Sequence, residues 1–322
     1  MIKVVELFSG IGAQTQALKN IGIEHEVVAR ADIDRFANHS YDLIHGITKN
    51  LYDITEVDGE KVPDHDLLTY SFPCQDLSVA GRQAGAAEGS GTRSALLWEC
   101  KKIIQSKMPK YLLMENVKNL VGTSNISQFE IWLRELAALG YTSYWKVINS
   151  NDFNVPQNRE RVFVVSILGE HKPYEFPAPV ELTTNVESIL ESRNNIDARF
   201  YMNQPLVMRE NIQASASGLI HIGDLEMAGN QSIKRVYDPT GICPTLTTME
   251  GGHRQPKFFL QEEHRVRKLT PLECWRLMGF GDEAFAKVRP FMSNAQLYKQ
   301  AGNSIVIPVL EGIFRQLFKE EP

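Results

Sequence analysis

Ile2-Lys3-Val4-Val5-Glu6-Leu7-Phe8-Ser9-Gly10-Ile11-Gly12-Ala13 decides the fold class. An apolar run leads into a turn with two glycines, and helical periodicity follows from Ala13. A strand that passes through a glycine turn into a helix opens a βαβ unit, where missing side chains let a ligand approach backbone N–H groups. Tight turns also use glycine for purely steric reasons, and the GxG spacing here lacks the third glycine of a dinucleotide fingerprint. Outward from this segment, apolar runs recur at 27–33, 67–72, 111–117, 143–148 and 161–168, rich in Val, Ile, Leu and Tyr as strands buried on both faces tend to be. Between them Leu97, Cys100 and Ile104 share one helical face, while Phe129, Trp132, Leu133, Leu136 and Leu139 share another that Gly140 ends. The alternation predicts an α/β fold with a mostly parallel sheet.

After Leu168 the periodicity weakens. Lys172-Pro173-Tyr174-Glu175-Phe176-Pro177-Ala178-Pro179 cannot form a regular element, and about a hundred residues with scattered Gly, Asn and Pro follow. The spacing predicts a first domain over 1–175, a smaller irregular domain with a hinge over 176–291, and a segment 292–322 whose amphipathic helix returns to the first domain. That helix is marked by the pairs Val309/Leu310, Ile313/Phe314 and Leu317/Phe318. With 43% hydrophobic and 23% charged residues in 322, disorder and fibre are excluded. No apolar run approaches the ~20 residues of a membrane span, and the start of the chain does not read as a secretion leader, so a cytoplasmic protein without membrane contact is expected. Cys74, Cys100, Cys243 and Cys274 form no CxxC pair and are too dispersed for a compact zinc cage, which argues against both a disulfide framework and a bound metal. A net charge of -5 gives no global sign of nucleic-acid binding; a polyanion would have to meet a local basic surface.

Several residues carry chemistry. Asp32 ends the second strand about twenty residues after Gly12, where a carboxylate can accept hydrogen bonds from ribose hydroxyls, and Asp53 lies in a loop before the third strand. Either acid also suits an ordinary cap or turn. Pro73-Cys74-Gln75 follows the third strand, placing a thiol at the carboxyl end, where open α/β sheets form their crevices. Met114-Glu115-Asn116-Val117 sets a carboxylate at the end of an apolar strand, where desolvation would raise its pKa and let it hold a proton near neutrality. Gln157-Asn158-Arg159-Glu160-Arg161 enters another strand, with Arg159 and Arg161 expected on one face.

In this order the motifs resemble the DNA (cytosine-5) methyltransferases of bacterial restriction-modification systems and phages. The resemblance rests on Phe8-Ser9-Gly10-Ile11-Gly12, Pro73-Cys74-Gln75, Glu115-Asn116-Val117 and Gln157 to Arg161, together with Arg267 to Phe280 and Gln300 to Pro308. It spans the chain outside roughly 175–235. It implies a Rossmann-like, S-adenosylmethionine-dependent methyltransferase domain beside a target-recognition domain, acting on a cytosine flipped out of double-stranded DNA. A branch of the family that methylates a transfer RNA cytosine is the alternative substrate class.

The same resemblance assigns roles. Cys74 is the nucleophile, Glu115 the proton donor, and Arg161 with Arg159 the donors to the cytosine oxygen. S-adenosylmethionine, leaving as S-adenosylhomocysteine, would be held by Phe8, Gly10, Ile11 and Gly12, by Asp32 and Ile33, by Asp53 and Ile54, and by Pro73, Leu96, Asn303 and Ser304. Ile33 stands where the family often has an aromatic residue, and Asn158 where it often has a basic one. Gln75 opens a stretch through Ser94 with four glycines in twenty residues, expected to act as a lid with Ser78, Arg82 and Arg93 reaching phosphates. Arg235, Thr245 and Leu246 are expected in the DNA-binding region, where residues 230–270 carry seven Lys or Arg against four acids. A separate cognate restriction endonuclease and a monomeric state are further expectations of the resemblance.

Overall fold

The computed structural model describes residues 1–73 and 96–319. Two compact units divide the chain, the first built from Met1–Ile148, Glu160–Ala178 and Val309–Pro322, the second from Asn149–Arg159 and Pro179–Pro308.

The first unit carries strands β1 (Ile2–Leu7), β2 (His25–Ala31), β3 (Leu67–Tyr70), β4 (Tyr111–Val117) and β5 (Tyr141–Asn149). After the short β6 (Gln157–Asn158), which belongs to the second unit, β7 (Glu160–Leu168) completes a six-stranded sheet in the order β2-β1-β3-β4-β7-β5. The first four strands in that order are parallel, and β7 runs antiparallel to β4. Val4, Val5 and Leu7 are fully buried, as expected for a strand covered on both faces. The cover comes from helices α1 (Ala13–Asn20), α2 (Arg35–His45), α3 (Leu96–Lys107) and α4 (Ile126–Ala138). Trp132 of α4 is fully buried and meets Tyr70 and Trp98 edge-on, with ring centroids 6.0 and 5.8 Å away. The mostly parallel α/β architecture read from the sequence is present. Register fixes what matters for function: Leu7 lies level with Ala31 and with Tyr70, and Tyr70 with Met114. The residues that follow on these strands therefore emerge along one edge, and the chain reverses its winding direction between β1 and β3, the place where such sheets bind ligands.

The second unit holds a five-stranded sheet in the order β13-β12-β10-β9-β8, from β8 (Leu206–Met208), β9 (His221–Leu225), β10 (Arg235–Tyr237), β12 (Lys257–Leu260) and β13 (Arg265–Lys268). Its small core is Met202, Ile222, Leu225, Val236 and Val266. A separate two-stranded parallel pair joins β6 to β11 (Cys243–Pro244). Helices α5 (Gln231–Lys234), α6 (Pro271–Arg276), α7 (Asp282–Val288) and α8 (Asn294–Asn303) complete the unit, and α9 (Ile307–Leu317) follows.

The units do not follow the boundaries expected from sequence. Residues 149–159 belong with the second unit because β6 pairs with β11. Residues 292–308 belong there too, since Trp275 Nε1 donates to the Leu297 carbonyl at 3.0 Å. Only from Val309 does the chain rejoin the first unit, where Tyr174 donates to the Ile313 carbonyl.

Candidate active site

The turn after β1 winds through three left-handed residues, Phe8 (φ 56°), Gly10 (φ 54°) and Gly12 (φ 79°). Its two glycines answer different needs. A Cβ on Gly12 would stand 2.5 Å from His45 Nε2 and 2.8 Å from the Tyr41 ring, so this glycine exists to let α2 pack. A Cβ on Gly10 would meet nothing within 4 Å, so this glycine leaves open space. Asp32, at the end of β2, accepts from the Gly10 N–H through Oδ2 and from the Asp34 N–H through Oδ1, both at 2.8 Å. Burial pushes its carboxyl above the usual range, and those two N–H bonds work against the rise. Ser9, between the open glycine and the strand, is 3% exposed, and its hydroxyl has no hydrogen-bond partner among the described residues. A buried hydroxyl awaiting a partner, a gap in place of a side chain and a carboxylate with remaining lone pairs form a cradle that fits a polar, ribose-bearing ligand.

Other expected cofactor residues lie around this turn in different states. Ile11 is buried, and its carbonyl sits 3.1 Å from His45 Nε2. Ile33 is 75% exposed and Ile54 is in the core. Asp53 uses one oxygen to accept from the Thr55 N–H and hydroxyl at 2.9 and 2.8 Å, capping a short 3₁₀ turn. Leu96 packs on the core at the start of α3, and Pro73 follows β3. Beneath the turn, Glu6 is fully buried and accepts from Thr15 Oγ1 (2.7 Å) and Tyr41 Oη (2.9 Å). Burial pushes its carboxyl up despite these bonds.

Two strands along from β1, Glu115 on β4 is nearly buried and pairs with Arg161 on β7, Nε to Oε1 at 3.2 Å. The antiparallel register explains the meeting: Arg161 lies opposite Val117, diagonally across from Glu115. The Arg161 guanidinium thus stands against the acid that the sequence places at the strand end. Asn116 adds a contact that its place in the motif did not reveal. Its Nδ2 donates to the Phe72 carbonyl at 3.0 Å, fixing the end of β3 two residues before Cys74. An amide directly after a strand-end acid was the available signal. Cys74 itself, with Gln75, Ser78, Arg82 and Arg93, lies outside the described residues.

Residues 2–319 match the C-5 cytosine-specific DNA methylase family. The chain belongs to that family. Among curated relatives it is similar to the type II methyltransferase M2.ScrFI of Lactococcus lactis subsp. cremoris, 37% identical with all of both chains covered. The type II methyltransferase M.HhaI of Haemophilus parahaemolyticus is 33% identical, covering 97% of this chain and 93% of the relative. In fold it is similar to the Entamoeba histolytica methyltransferase EhMeth, with a TM-score of 0.78 at 16% identity over 100% and 99% of the two chains.

In this methylase the second unit uses its expected site residues mainly for structure. Arg159 does not share a face with Arg161, because it falls between β6 and β7 and is not in the strand. Its guanidinium, 4% exposed, donates to the carbonyls of Leu246 (2.9 Å), Gly302 (3.0 Å) and Ser304 (2.8 Å). Leu246, expected in the DNA-binding region, is 1% exposed and packs inward. Thr245 is exposed, with its hydroxyl donating to the Asn158 carbonyl. Both residues tie 157–159 to the chain after β11, and Gln157 Oε1 accepts from the Leu246 N–H. Asn303 is exposed at the last position of α8, and Ser304 is buried as its cap. The basic surface expected over 230–270 is thinner than its composition, because Lys257 and Arg267 are buried; Arg235 remains exposed.

Proposed function

We propose that this methylase transfers a methyl group from S-adenosylmethionine to carbon 5 of a cytosine rotated out of double-stranded DNA, through a transient bond to Cys74. The observation that carries the reading is the Glu115–Arg161 pair on the same sheet edge as the segment that Asn116 anchors two residues before Cys74. Carbon 5 of cytosine is a weak nucleophile, and addition of a thiolate to carbon 6 turns the ring into an enamine. Cys74 forms that carbon–sulfur bond while Glu115 delivers its proton to ring nitrogen 3, so no full negative charge accumulates. Arg161 donates to the exocyclic oxygen and keeps the Glu115 carboxyl oriented. S-adenosylmethionine, when bound, supplies the electrophilic methyl group to carbon 5. Loss of the carbon 5 proton to a base then expels the Cys74 thiolate, and nitrogen 3 returns its proton to Glu115. The target must leave the duplex because carbon 6 is inaccessible inside the stack, at a cost of a few kcal/mol.

Ser9, Gly10 and Asp32 would hold the donor, the carboxylate on the ribose and the open glycine against the chain that carries the methyl. Asp53 and Ile54 would lie nearer the base.

The deciding experiment uses duplex DNA whose cytosines carry fluorine at carbon 5, where the departing proton is replaced and elimination cannot occur. A stable protein–DNA adduct dependent on S-adenosylmethionine is expected, absent in Cys74→Ser, which still binds DNA. Recovery of no adduct with wild-type protein would refute the mechanism, and methyl transfer to transfer RNA alone would refute the substrate.

A further inference from the structure

Residues 49–51 run beside β2 as a short parallel edge. The Arg30 N–H donates to the Lys49 carbonyl at 2.9 Å and the Leu51 N–H to the Arg30 carbonyl at 2.7 Å, bridging Arg30 with Asn50. Asp32 and Tyr52 each follow this bridge by two residues. Tyr52 is 63% exposed and has φ 58°, an uncommon conformation for a bulky side chain. Asn50 holds it there, its side-chain oxygen accepting from the Tyr52 N–H at 2.9 Å. Ile33, next to Asp32, is 75% exposed. Two large side chains thus stand exposed on the segments that the Arg30–Asn50 bridge joins beside the acid suited to a ribose, and the chain accepts backbone strain to present one of them. A flat aromatic ring beside a ribose-binding acid is what a purine base attached to that ribose requires.

We propose that Tyr52 forms an aromatic wall of the methyl-donor site, stacking on the adenine ring, with Ile33 as an apolar contact beside it. The inference rests on the cofactor reading above and extends it to a residue outside the motifs. The ring supplies affinity for the nucleoside and takes no part in the chemistry, so Tyr52 is a specificity-determining residue. Asp32 would fix the ribose, and stacking on Tyr52 would fix the plane of the base.

The test is titration calorimetry of the full chain with S-adenosylhomocysteine and with 5′-methylthioadenosine, which keeps the nucleoside without the amino-acid portion. Tyr52→Asn is the informative variant because asparagine tolerates the left-handed backbone, so only the ring is lost. Its Kd is expected to rise about tenfold for both ligands. Tyr52→Phe should stay within about twofold of wild type, since the stacking face is retained. Unchanged affinity in Tyr52→Asn overturns the proposal while wild-type binding leaves the cofactor reading intact; so does a loss confined to S-adenosylhomocysteine. Failure of the wild-type chain to bind either ligand overturns the cofactor reading and this inference together.

Discussion

The two units differ in where several of their charged side chains find partners. In the first, long strands satisfy their own backbone, and the charged side chains at the strand ends are left to one another and to ligands: Glu115 with Arg161, Asp32 with two N–H groups. In the second, two- to five-residue strands leave carbonyls without ladder partners, and buried cations go to them. Arg159 caps three carbonyls, and Lys257 donates to those of His253 (2.6 Å) and Gln255 (3.1 Å). Arg267 is locked to Glu273 at 2.6 Å, with the acid also capping α6. Arg30 of the first unit, 1% exposed, is instead held by the side chains of Thr48, Asn38 and Asp42, so a buried cation beside a paired strand finds side-chain partners, and one beside unpaired carbonyls caps them.

Glu115 carries the largest expected effect. Glu115→Gln keeps the shape and removes the proton, so single-turnover methylation should slow by about 10²–10⁴-fold with unfolding nearly unchanged; a wild-type rate would remove the acid from the mechanism. The two arginines sharpen the contrast between the units. Arg161→Ala should lower the methylation rate by about 10²-fold or more through lost charge stabilisation. Arg159→Ala should cost about 3 kcal/mol or more of stability in denaturant melts, because three buried carbonyls lose their donor. Its rate per folded molecule should change far less than that of Arg161→Ala. Equal rate losses in the two variants would erase the distinction between the units.

The two glycines offer a smaller effect. Both substitutions to alanine carry the strain of a left-handed backbone, roughly 1–2 kcal/mol. Gly12→Ala adds a clash with His45 and Tyr41 and should melt lower than Gly10→Ala by a further 1–3 kcal/mol or so. Gly10→Ala should show its excess cost in calorimetric Kd for S-adenosylhomocysteine.

The smallest effect is in pH. Burial, with Lys268 nearby, pushes the Lys257 ammonium down to about 8 from an ordinary value of 10.5. Below pH 8 the lysine is charged in both folded and unfolded chains, and the full cost of burying that charge is present. Between about 8 and 10.5 the folded state releases a proton that the unfolded state keeps, so this group makes stability rise with pH across that window. Lys257→Met should flatten that part of the stability profile; an unchanged slope would assign it elsewhere.

Much of the first unit was readable from its pattern. The run at 111–117 became β4 with the same ends, and Leu97, Cys100, Ile104, Phe129, Trp132 and Leu136 are buried on α3 and α4. Strands buried on both faces leave an unmistakable apolar record, and motifs at their carboxyl ends have a fixed place. The second unit leaves no such record. Short strands and turns repeat no period, so nothing in Arg159, Leu246, Lys257 or Arg267 tells a reader of the chain that each faces inward. Composition counts a charge without saying where it points.

The order of residues by itself determined the family, the α/β class and the placement of Glu115, Asp32 and the glycine turn at strand ends, because local periodicity and motif spacing are properties of neighbours along the chain. Tertiary structure alone decided that Glu115 meets Arg161, that Asn116 anchors Phe72, that Arg159 is a strut, and that Gly10 opens space where Gly12 fills a contact. Those depend on which strands pair and in what register, and register joins residues tens to more than a hundred positions apart, beyond the reach of any local pattern.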